Sequence, residues 1–389
     1  MDNGKRTKLS VEVKLITLFL IITPIAFFVH LEFLNNIEYN SGEQSDYIID
    51  GYYYIYLGDK VVDTYMSTDS SLYQVAESVS PNARSTGIVL LSAIVSLLAP
   101  SIYVIPVIFV FTYIFLLYLL LRTLQFNPYL MLLPFSGLLP YIFIPTKESF
   151  FLIGFMMFLL AFFKKKYLIL GLIGLTLMFM ARPEGLYLLA ASIFIWVIAN
   201  RSKILLCFTI GLLFSGYYIF VRDTTFLISN AFQIQAEQAG TGFCNVGPLS
   251  VCVGSIGNIE WIYINRVISL AGLPVKWLLD IVGIFFDQGI DGSAVIIRLS
   301  LLIHILWGCL VIFSGLKVDD RTRKVRRLAL IFFAIYCVAY GSLFYYQSTR
   351  QILLASTILF VTWSVVRSKP YGVLNNNLIT KLALFYRPN

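Results

Sequence analysis

Apolar runs that repeat along the chain, separated by short charged connections, most constrain how this chain can fold. Runs of about 17–25 apolar residues can cross a bilayer as helices. Of the 389 residues 58% are hydrophobic and 13% are charged, against roughly 25% charged residues in a soluble domain. We therefore expect an all-α integral membrane protein, a single polytopic membrane domain over residues 1–389 with about ten transmembrane helices. The predicted spans are 14–33, 101–121, 128–145, 150–163, 167–181, 186–200, 204–221, 293–316, 328–346 and 352–366, and a shorter apolar stretch, 87–99, is predicted to be re-entrant or interfacial.

Basic residues divide unevenly between the two sides that these spans define. With the N-terminus inside, 20 of the 29 Lys and Arg but only 4 of the 21 Asp and Glu fall on the inner side. The positive-inside rule then predicts that both termini are cytoplasmic, with a cytoplasmic tail at 367–389. Two long outer loops, 35–100 and 222–292, are expected to carry amphipathic or interfacial helices. The basic run at 321–327 is predicted to anchor the topology on anionic lipid, and no nucleic-acid partner is expected.

Two apolar segments run back to back between Pro145 and Gly185, with Lys164–Lys166 between them. If the lysine run is cytoplasmic, the charged residues that flank the pair emerge together on the outer side. Ionisable residues beside such runs are costly unless they lie at an interface or face water, and they indicate function by default. Three outer turns are predicted: 145–148 (PTKE), 182–185 (RPEG) and 347–351 (QSTRQ).

The first outer loop carries two acids at helical spacing, Asp46 and Asp50. In a helix both carboxylates would lie on one face. A carboxylate held near the membrane surface could deprotonate a sugar hydroxyl that arrives from water. The spacing alone leaves open that both are ordinary surface acids in a solvated loop.

Cations near the predicted lipid boundary could hold a phosphate or diphosphate group at the depth of the lipid headgroups, where arginine offers bidentate geometry. Carboxylates beside them would orient those cations. The alternative is that the acids simply neutralise the neighbouring cations at helix ends. The candidate phosphate ligands are Arg182, Lys147, Arg350 and Arg266, and the candidate orienting acids are Glu148 and Glu184.

Cysteine and histidine indicate little chemistry. Cys244 and Cys252 flank a Gly-Pro turn in the second outer loop, where a disulfide is plausible in an oxidising compartment. His30 and His304 each lie alone in an apolar span, which favours helix packing or hydrogen bonding over metal ligation. No metal site and no cofactor are predicted, and a divalent cation near the first-loop acids has no supporting ligand spacing.

Several features follow one another along the N-terminal half of the chain: Asp50-Gly51 with Tyr54 and Leu57, Arg84-Ser85-Thr86-Gly87 before a short apolar helix, a span ending in LLLRTL, a turn with Lys147-Glu148, and a Gly-rich span leading to Arg182-Pro183-Glu184-Gly185. In this order they resemble the GT-C superfamily of multi-spanning glycosyltransferases, which use polyprenyl-phosphate-linked or diphosphate-linked sugars. The resemblance implies a GT-C-like fold and assigns the acceptor-activating base to Asp50, with Asp46 second. The turn at Lys147-Glu148 departs from that family, in which the acid is preceded by proline.

The size, the number of spans and the Phe-, Ile-, Tyr- and Asn-rich composition are also similar to Wzy-type O-antigen polymerases. This resemblance implies a bacterial inner-membrane enzyme that joins undecaprenyl-linked repeat units on the periplasmic face, alongside other polysaccharide-assembly membrane proteins. A GT-C transferase that adds a single sugar is the alternative within the same class. A flippase or transporter for lipid-linked oligosaccharides is the alternative from another class, although the charges crowd the predicted outer rim and few lie within spans.

Overall fold

The computed structural model describes residues 11–35, 50–81, 85–99, 101–124, 136–199, 211, 299–306, 320–340 and 346–367. Over these residues the protein is all-helical and has no strand. Residues 299–306 are also helical. The longer helices are α1 (Val11–Asn35), α2 (Asp50–Met66), α3 (Leu72–Val79), α4 (Thr86–Leu98), α5 (Ile105–Leu124), α6 (Lys147–Phe163), α7 (Leu168–Ala181), α8 (Pro183–Ala199), α9 (Asp320–Tyr340) and α10 (Tyr346–Arg367).

Two of the described helices are long and apolar enough to cross a membrane, by length and composition. Their apolar windows, Leu15–Glu32 and Ile102–Leu120, match the predicted spans 14–33 and 101–121. A third span is added if 165–181 and 185–199 are counted together as one broken span. These apolar helices are typical of a membrane-associated protein, whereas a total of ten spans stays a prediction.

Packing divides the chain into two compact units, Met1–Pro183 with Arg367–Asn389, and Glu184–Val366. In the first unit α1 packs on α5, α2 packs on α4, and α6 packs on both α5 and α7. One side of α1 is buried, as at Leu18, while Ile16, Leu20 and Phe28 are exposed. Large apolar side chains exposed on one helix face are expected where the solvent is lipid.

Glycines let α6 and α7 form a close antiparallel hairpin. A Cβ atom on Gly154 would overlap the carbonyl oxygen of Gly174, and a Cβ atom on Gly174 would overlap that of Gly154. Small residues at such contacts allow two helix backbones to approach in lipid, where dispersion contacts drive association. The tight turn at Lys164–Tyr167 joins the helices at one end, so the start of α6 and the end of α7 lie at the other.

The first long loop is largely helical, because it contains α2, α3 and α4. At Gly58 a Cβ atom would lie 2.8 Å from the backbone carbon of Ser92, so α2 and α4 cross closely there. The short apolar stretch predicted at 87–99 is α4, whose 13 residues are too few for a span of ordinary length. The prediction that this loop contains helices is confirmed, whereas their position at the membrane interface stays a prediction.

Some boundaries differ from the sequence prediction. The segment 347–351 was expected to be an outer turn, and this prediction was wrong: it lies within the first turns of α10, so Arg350 is a helical residue. Polar residues in the first turn of a helix are common because that turn often extends beyond the apolar part. The described end of the predicted span 128–145 is a one-turn helix, Leu139–Ile142, with Pro140 in its first turn.

In the second unit α9 and α10 pack through Ala329, Leu359, Phe360 and Trp363. The guanidinium carbon of Arg326 lies 5.0 Å from the centroid of the Trp363 ring, and the indole N–H donates to the carbonyl of Arg326 at 3.4 Å. Arg326 is therefore buried and contacts protein, although it belongs to the basic run predicted to touch lipid, whereas Arg327 is exposed.

Candidate functional site

The start of α6 is held by a buried hydrogen-bond network. Thr146 and Ser149 form a capping box, in which each side-chain oxygen accepts from the backbone N–H of the other residue at 3.0 Å. The two hydroxyls also donate to carbonyls, Thr146 to Tyr141 and Ser149 to Ile144, both at 2.8 Å. Capping satisfies N–H groups that a helix start leaves without partners. The Lys147-Glu148 pair therefore sits on a fixed piece of backbone.

Glu148 forms an ion pair with Arg182 across the hairpin. Nη2 of Arg182 donates to Oε1 of Glu148, and the two residues are 3% and 0% exposed. Arg182 follows the last residue of α7 and Glu148 is the second residue of α6. The prediction that the two charged turns emerge at the same end of the hairpin is thus confirmed by direct contact.

Lys147 contacts an aromatic ring of α2. Its Nζ atom lies 5.8 Å from the centroid of the Tyr54 ring, within the range of a cation–π interaction. Tyr54 is 3% exposed, whereas Lys147 is only partly buried. We call Lys147, Glu148 and Arg182 the charged cluster; it joins the ends of α6 and α7 to a residue of α2.

The first turn of α2 lies against the residues that lead into α6. A Cβ atom on Gly51 would lie 2.6 Å from Cδ1 of Ile144 and 2.7 Å from Cγ2 of Thr146. Only glycine fits there without a shift of those side chains. Asp50 is the first residue of α2 and adjoins Gly51, so its backbone is brought to the same turn as the charged cluster.

The start of α4 completes the surroundings of the cluster. A Cβ atom on Gly87 would overlap the backbone of Met180, two residues before Arg182. Ser85 and Thr86 are buried beside this contact, at 4% and 5% exposure. The Ser-Thr-Gly stretch that contributes to the GT-C resemblance therefore packs on the end of α7.

A buried ion pair in this position has a physical consequence. Removing two charges from water is costly, and their attraction offsets that cost only when the geometry is good and other hydrogen bonds help. Breaking such a pair from one side is strongly destabilising, because the remaining charge stays buried. Glu148 and Arg182 thus fix the ends of α6 and α7, and they hold Lys147 at the edge of this fixed region.

The other predicted site residues fall into two groups. Asp46, Arg266, Cys244 and Cys252 lie outside the described residues, so the second acid, one cation and the disulfide stay predictions. For Asp50, Glu184 and Arg350 the backbone is described and is helical, whereas their side chains lie outside the description.

Both histidines make hydrogen bonds to hydroxyl groups of other helices. Nδ1 of His30 lies 3.0 Å from the Tyr52 hydroxyl, which also donates to the His30 carbonyl at 3.2 Å. Nε2 of His304 lies 2.6 Å from Oγ of Ser356. The predicted hydrogen-bonding role is confirmed for both. Within the described ranges no group of three or more His, Cys, Asp or Glu could hold a metal ion.

Sequence reasoning missed two parts of this site. The capping box has a partial local signal, because Thr directly before an apolar run is a recognised N-cap pattern, although Ser149 stands where the usual capping box has Glu or Gln. The contact of Lys147 with Tyr54 has no local signal, since 93 positions separate the two residues in the numbering.

Comparisons with protein-family models, with characterised proteins and with solved structures found no match.

Proposed function

We propose that this protein is a membrane glycosyltransferase that forms glycosidic bonds from undecaprenyl-phosphate-linked or diphosphate-linked sugars. The observation that carries the proposal is the charged cluster, in which Arg182 and Glu148 pair in a buried position and Lys147 lies beside them. Fixed cations next to apolar helices suit a lipid whose headgroup is a phosphate. The start of α2 at Asp50, against the turn before Lys147, gives this cluster an acid nearby in the fold.

The proposed reaction uses these groups in separate roles. The carboxylate of Asp50 accepts the proton of the acceptor hydroxyl while that oxygen forms a bond to the anomeric carbon. The bond between the anomeric carbon and the phosphate oxygen breaks, and its electron pair stays on the departing phosphate. The charged cluster stabilises the negative charge that develops there. Asp46, Arg266 and Arg350 are further candidates, and Glu184 is a further candidate orienting acid.

Repeat-unit polymerisation is the form of the reaction that we favour, as in O-antigen assembly on the periplasmic face of a bacterial inner membrane. Both termini would be cytoplasmic in this arrangement. Its partners would be the lipid bilayer, undecaprenyl-linked oligosaccharide and other polysaccharide-assembly membrane proteins. Addition of one sugar by a GT-C transferase is the alternative product of the same chemistry, and a lipid-linked oligosaccharide flippase is the alternative from another class.

The test is complementation of a deletion strain, with the lipopolysaccharide ladder as the readout. If the protein is a polymerase, deletion should leave lipopolysaccharide core that carries one repeat unit, and the wild-type gene should restore the ladder. Asp50→Asn should fail to restore it at normal membrane abundance, whereas Asp63→Asn, an exposed acid on the same helix, should succeed. A ladder of normal length that lacks one branch sugar would indicate a single-sugar transferase. Repeat units trapped on the cytoplasmic face would contradict the enzyme and favour a flippase.

A further inference from the structure

The two cations of the charged cluster differ in how a ligand can reach them. Arg182 is 3% exposed, and its Nη2 donates to a carboxylate that is fully buried. Lys147 is partly exposed and stands on the Tyr54 ring. A ligand that arrives from water or from the lipid headgroups therefore meets Lys147, while Arg182 faces Glu148.

The position of Lys147 on α6 is unfavourable for the helix itself. It is the first residue of α6, where the helix dipole places partial positive charge and disfavours a cation. The capping box already satisfies the helix start without it. An anionic ligand at this point would be attracted both by the ammonium group and by the end of the helix.

The Tyr54 ring lies next to the ammonium group of Lys147. This ring is 3% exposed and belongs to α2, so it forms a fixed wall under Nζ of Lys147. Tyr54 also follows Asp50 by four residues, which places both on one face of α2. The same helix face thus carries the proposed base and the residue that positions the cation.

We propose that Lys147 contacts the phosphate of the lipid-linked donor and that Tyr54 positions it. In this proposal Arg182 and Glu148 are a positioning pair that fixes the ends of α6 and α7, and Arg182 does not touch the phosphate. This assignment rests on the proposed function and makes it more specific, because it separates the ligand cation from the structural one. The ligand class is a polyprenyl phosphate or diphosphate.

Binding to the full-length protein in lipid nanodiscs tests this assignment, with undecaprenyl phosphate as the probe and uncharged undecaprenol as the reference. Lys147→Ala should weaken undecaprenyl phosphate binding about tenfold or more, since charge-assisted hydrogen bonds are the strong ones. Undecaprenol binding should not change. Lys147→Arg should retain most of the affinity. Tyr54→Leu should weaken the phosphate-dependent part several-fold, whereas Tyr54→Phe should keep it because the ring remains.

A matched control exists at the other end of the hairpin. Nζ of Lys166 lies 4.7 Å from the centroid of the Tyr167 ring, and Lys166 is exposed. Lys166→Ala and Tyr167→Leu remove the same chemical groups and should leave undecaprenyl phosphate affinity unchanged. Equal losses at both ends would mean that the lysines act through general surface charge, and would overturn the proposal.

The double variant carrying Glu148→Gln and Arg182→Gln tests the role of the pair. It removes both charges together, and in this background Lys147→Ala should still weaken undecaprenyl phosphate binding about tenfold. A folded double variant whose remaining affinity does not change on Lys147→Ala would show that the phosphate is not held by Lys147, and the assignment would be overturned. If the protein binds inorganic diphosphate through Lys147 but does not bind undecaprenyl phosphate, the ligand is not a lipid, and this part of the proposal would be overturned.

The failure of this assignment and that of the proposed function give different results. A wild-type protein that restores the ladder but whose affinity for undecaprenyl phosphate does not depend on Lys147 would overturn the assignment alone. Two results together would overturn the proposed function. The purified wild-type protein would bind undecaprenyl phosphate no better than undecaprenol, and the lipopolysaccharide ladder would not depend on the gene.

Discussion

Glu148 accepts a hydrogen bond from Arg182, a residue 34 positions later in the chain, and both side chains are buried at the open end of the α6–α7 hairpin. This pair ties the start of one apolar helix to the end of the next. Because Arg182 is buried in this pair, Lys147 is the more exposed cation of the charged cluster. The energetic and functional consequences of that contact can be separated by substitution.

Loss of one partner of this pair should destabilise the protein strongly. Glu148→Gln or Arg182→Gln each leaves a buried charge behind, which typically costs about 3–5 kcal/mol. The double variant should recover most of that loss, because neither charge remains. Thermal unfolding of the purified protein in detergent, arranged as a double-mutant cycle, measures the coupling.

Glu77→Gln, an exposed carboxylate on α3, is the control and should unfold as the wild type does. If the losses of stability in the two single variants simply add in the double variant, Glu148 and Arg182 do not interact and the described contact is wrong.

The close approach of α6 and α7 predicts a second effect. Gly174→Ala places a methyl group against the carbonyl oxygen of Gly154, so the helices must separate. Overpacking of this kind typically costs about 1–3 kcal/mol. The unfolding temperature of the purified variant measures it.

Gly211→Ala is the matched control, because no heavy atom of the described residues lies within 4 Å of the position that its Cβ atom would take. In a helix that change should be neutral or slightly stabilising. A Gly174→Ala variant as stable as the Gly211→Ala variant would contradict the described packing.

The hydrogen bonds of Tyr52 predict a third effect, at the junction of α1 and α2. Tyr52→Phe removes the hydroxyl that lies 3.0 Å from Nδ1 of His30 and donates to the His30 carbonyl. The buried ring nitrogen and carbonyl of His30 then lose their partner, which should lower the free energy of unfolding by about 1–3 kcal/mol. Tyr73→Phe, at an exposed tyrosine on α3, should cost nothing measurable by the same unfolding assay.

The same tyrosine predicts how stability changes in alkali. Burial raises the pKa of Tyr52 well above its usual value. The folded protein therefore keeps the Tyr52 proton at a pH where the unfolded chain loses it. The contribution of this group to the free energy of unfolding is complete below pH ~10 and declines as the pH rises further. Unfolding temperatures between about pH 8 and pH 11 should fall more steeply for the wild type than for Tyr52→Phe. Parallel profiles for the two proteins would contradict a buried, protonated Tyr52.

Much of the first unit follows from local sequence. The spans at α1 and α5 were predicted because uninterrupted apolar runs of that length leave few alternatives. The meeting of the two charged turns also followed from chain order, since two helices joined by the short Lys164–Lys166 turn bring their far ends together. These features depend on short-range patterns that the sequence displays directly.

Adjacency in the sequence did not predict the contact of Glu148 with Arg182. Lys147 and Glu148 are neighbours in sequence, yet consecutive residues on a helix point about 100° apart. Glu148 consequently reaches Arg182 across the hairpin, and Lys147 reaches Tyr54 on α2. Contacts of this kind depend on how helices dock, which periodicity does not specify.

The most direct test of the glycosyltransferase is a reaction with purified protein in lipid vesicles and undecaprenyl-diphosphate-linked oligosaccharide, followed by mass spectrometry. We expect a longer glycan and one released undecaprenyl diphosphate for each bond formed, with both products absent for Asp50→Asn. Movement of the lipid-linked oligosaccharide across the vesicle membrane, with glycan and lipid unchanged, would contradict it.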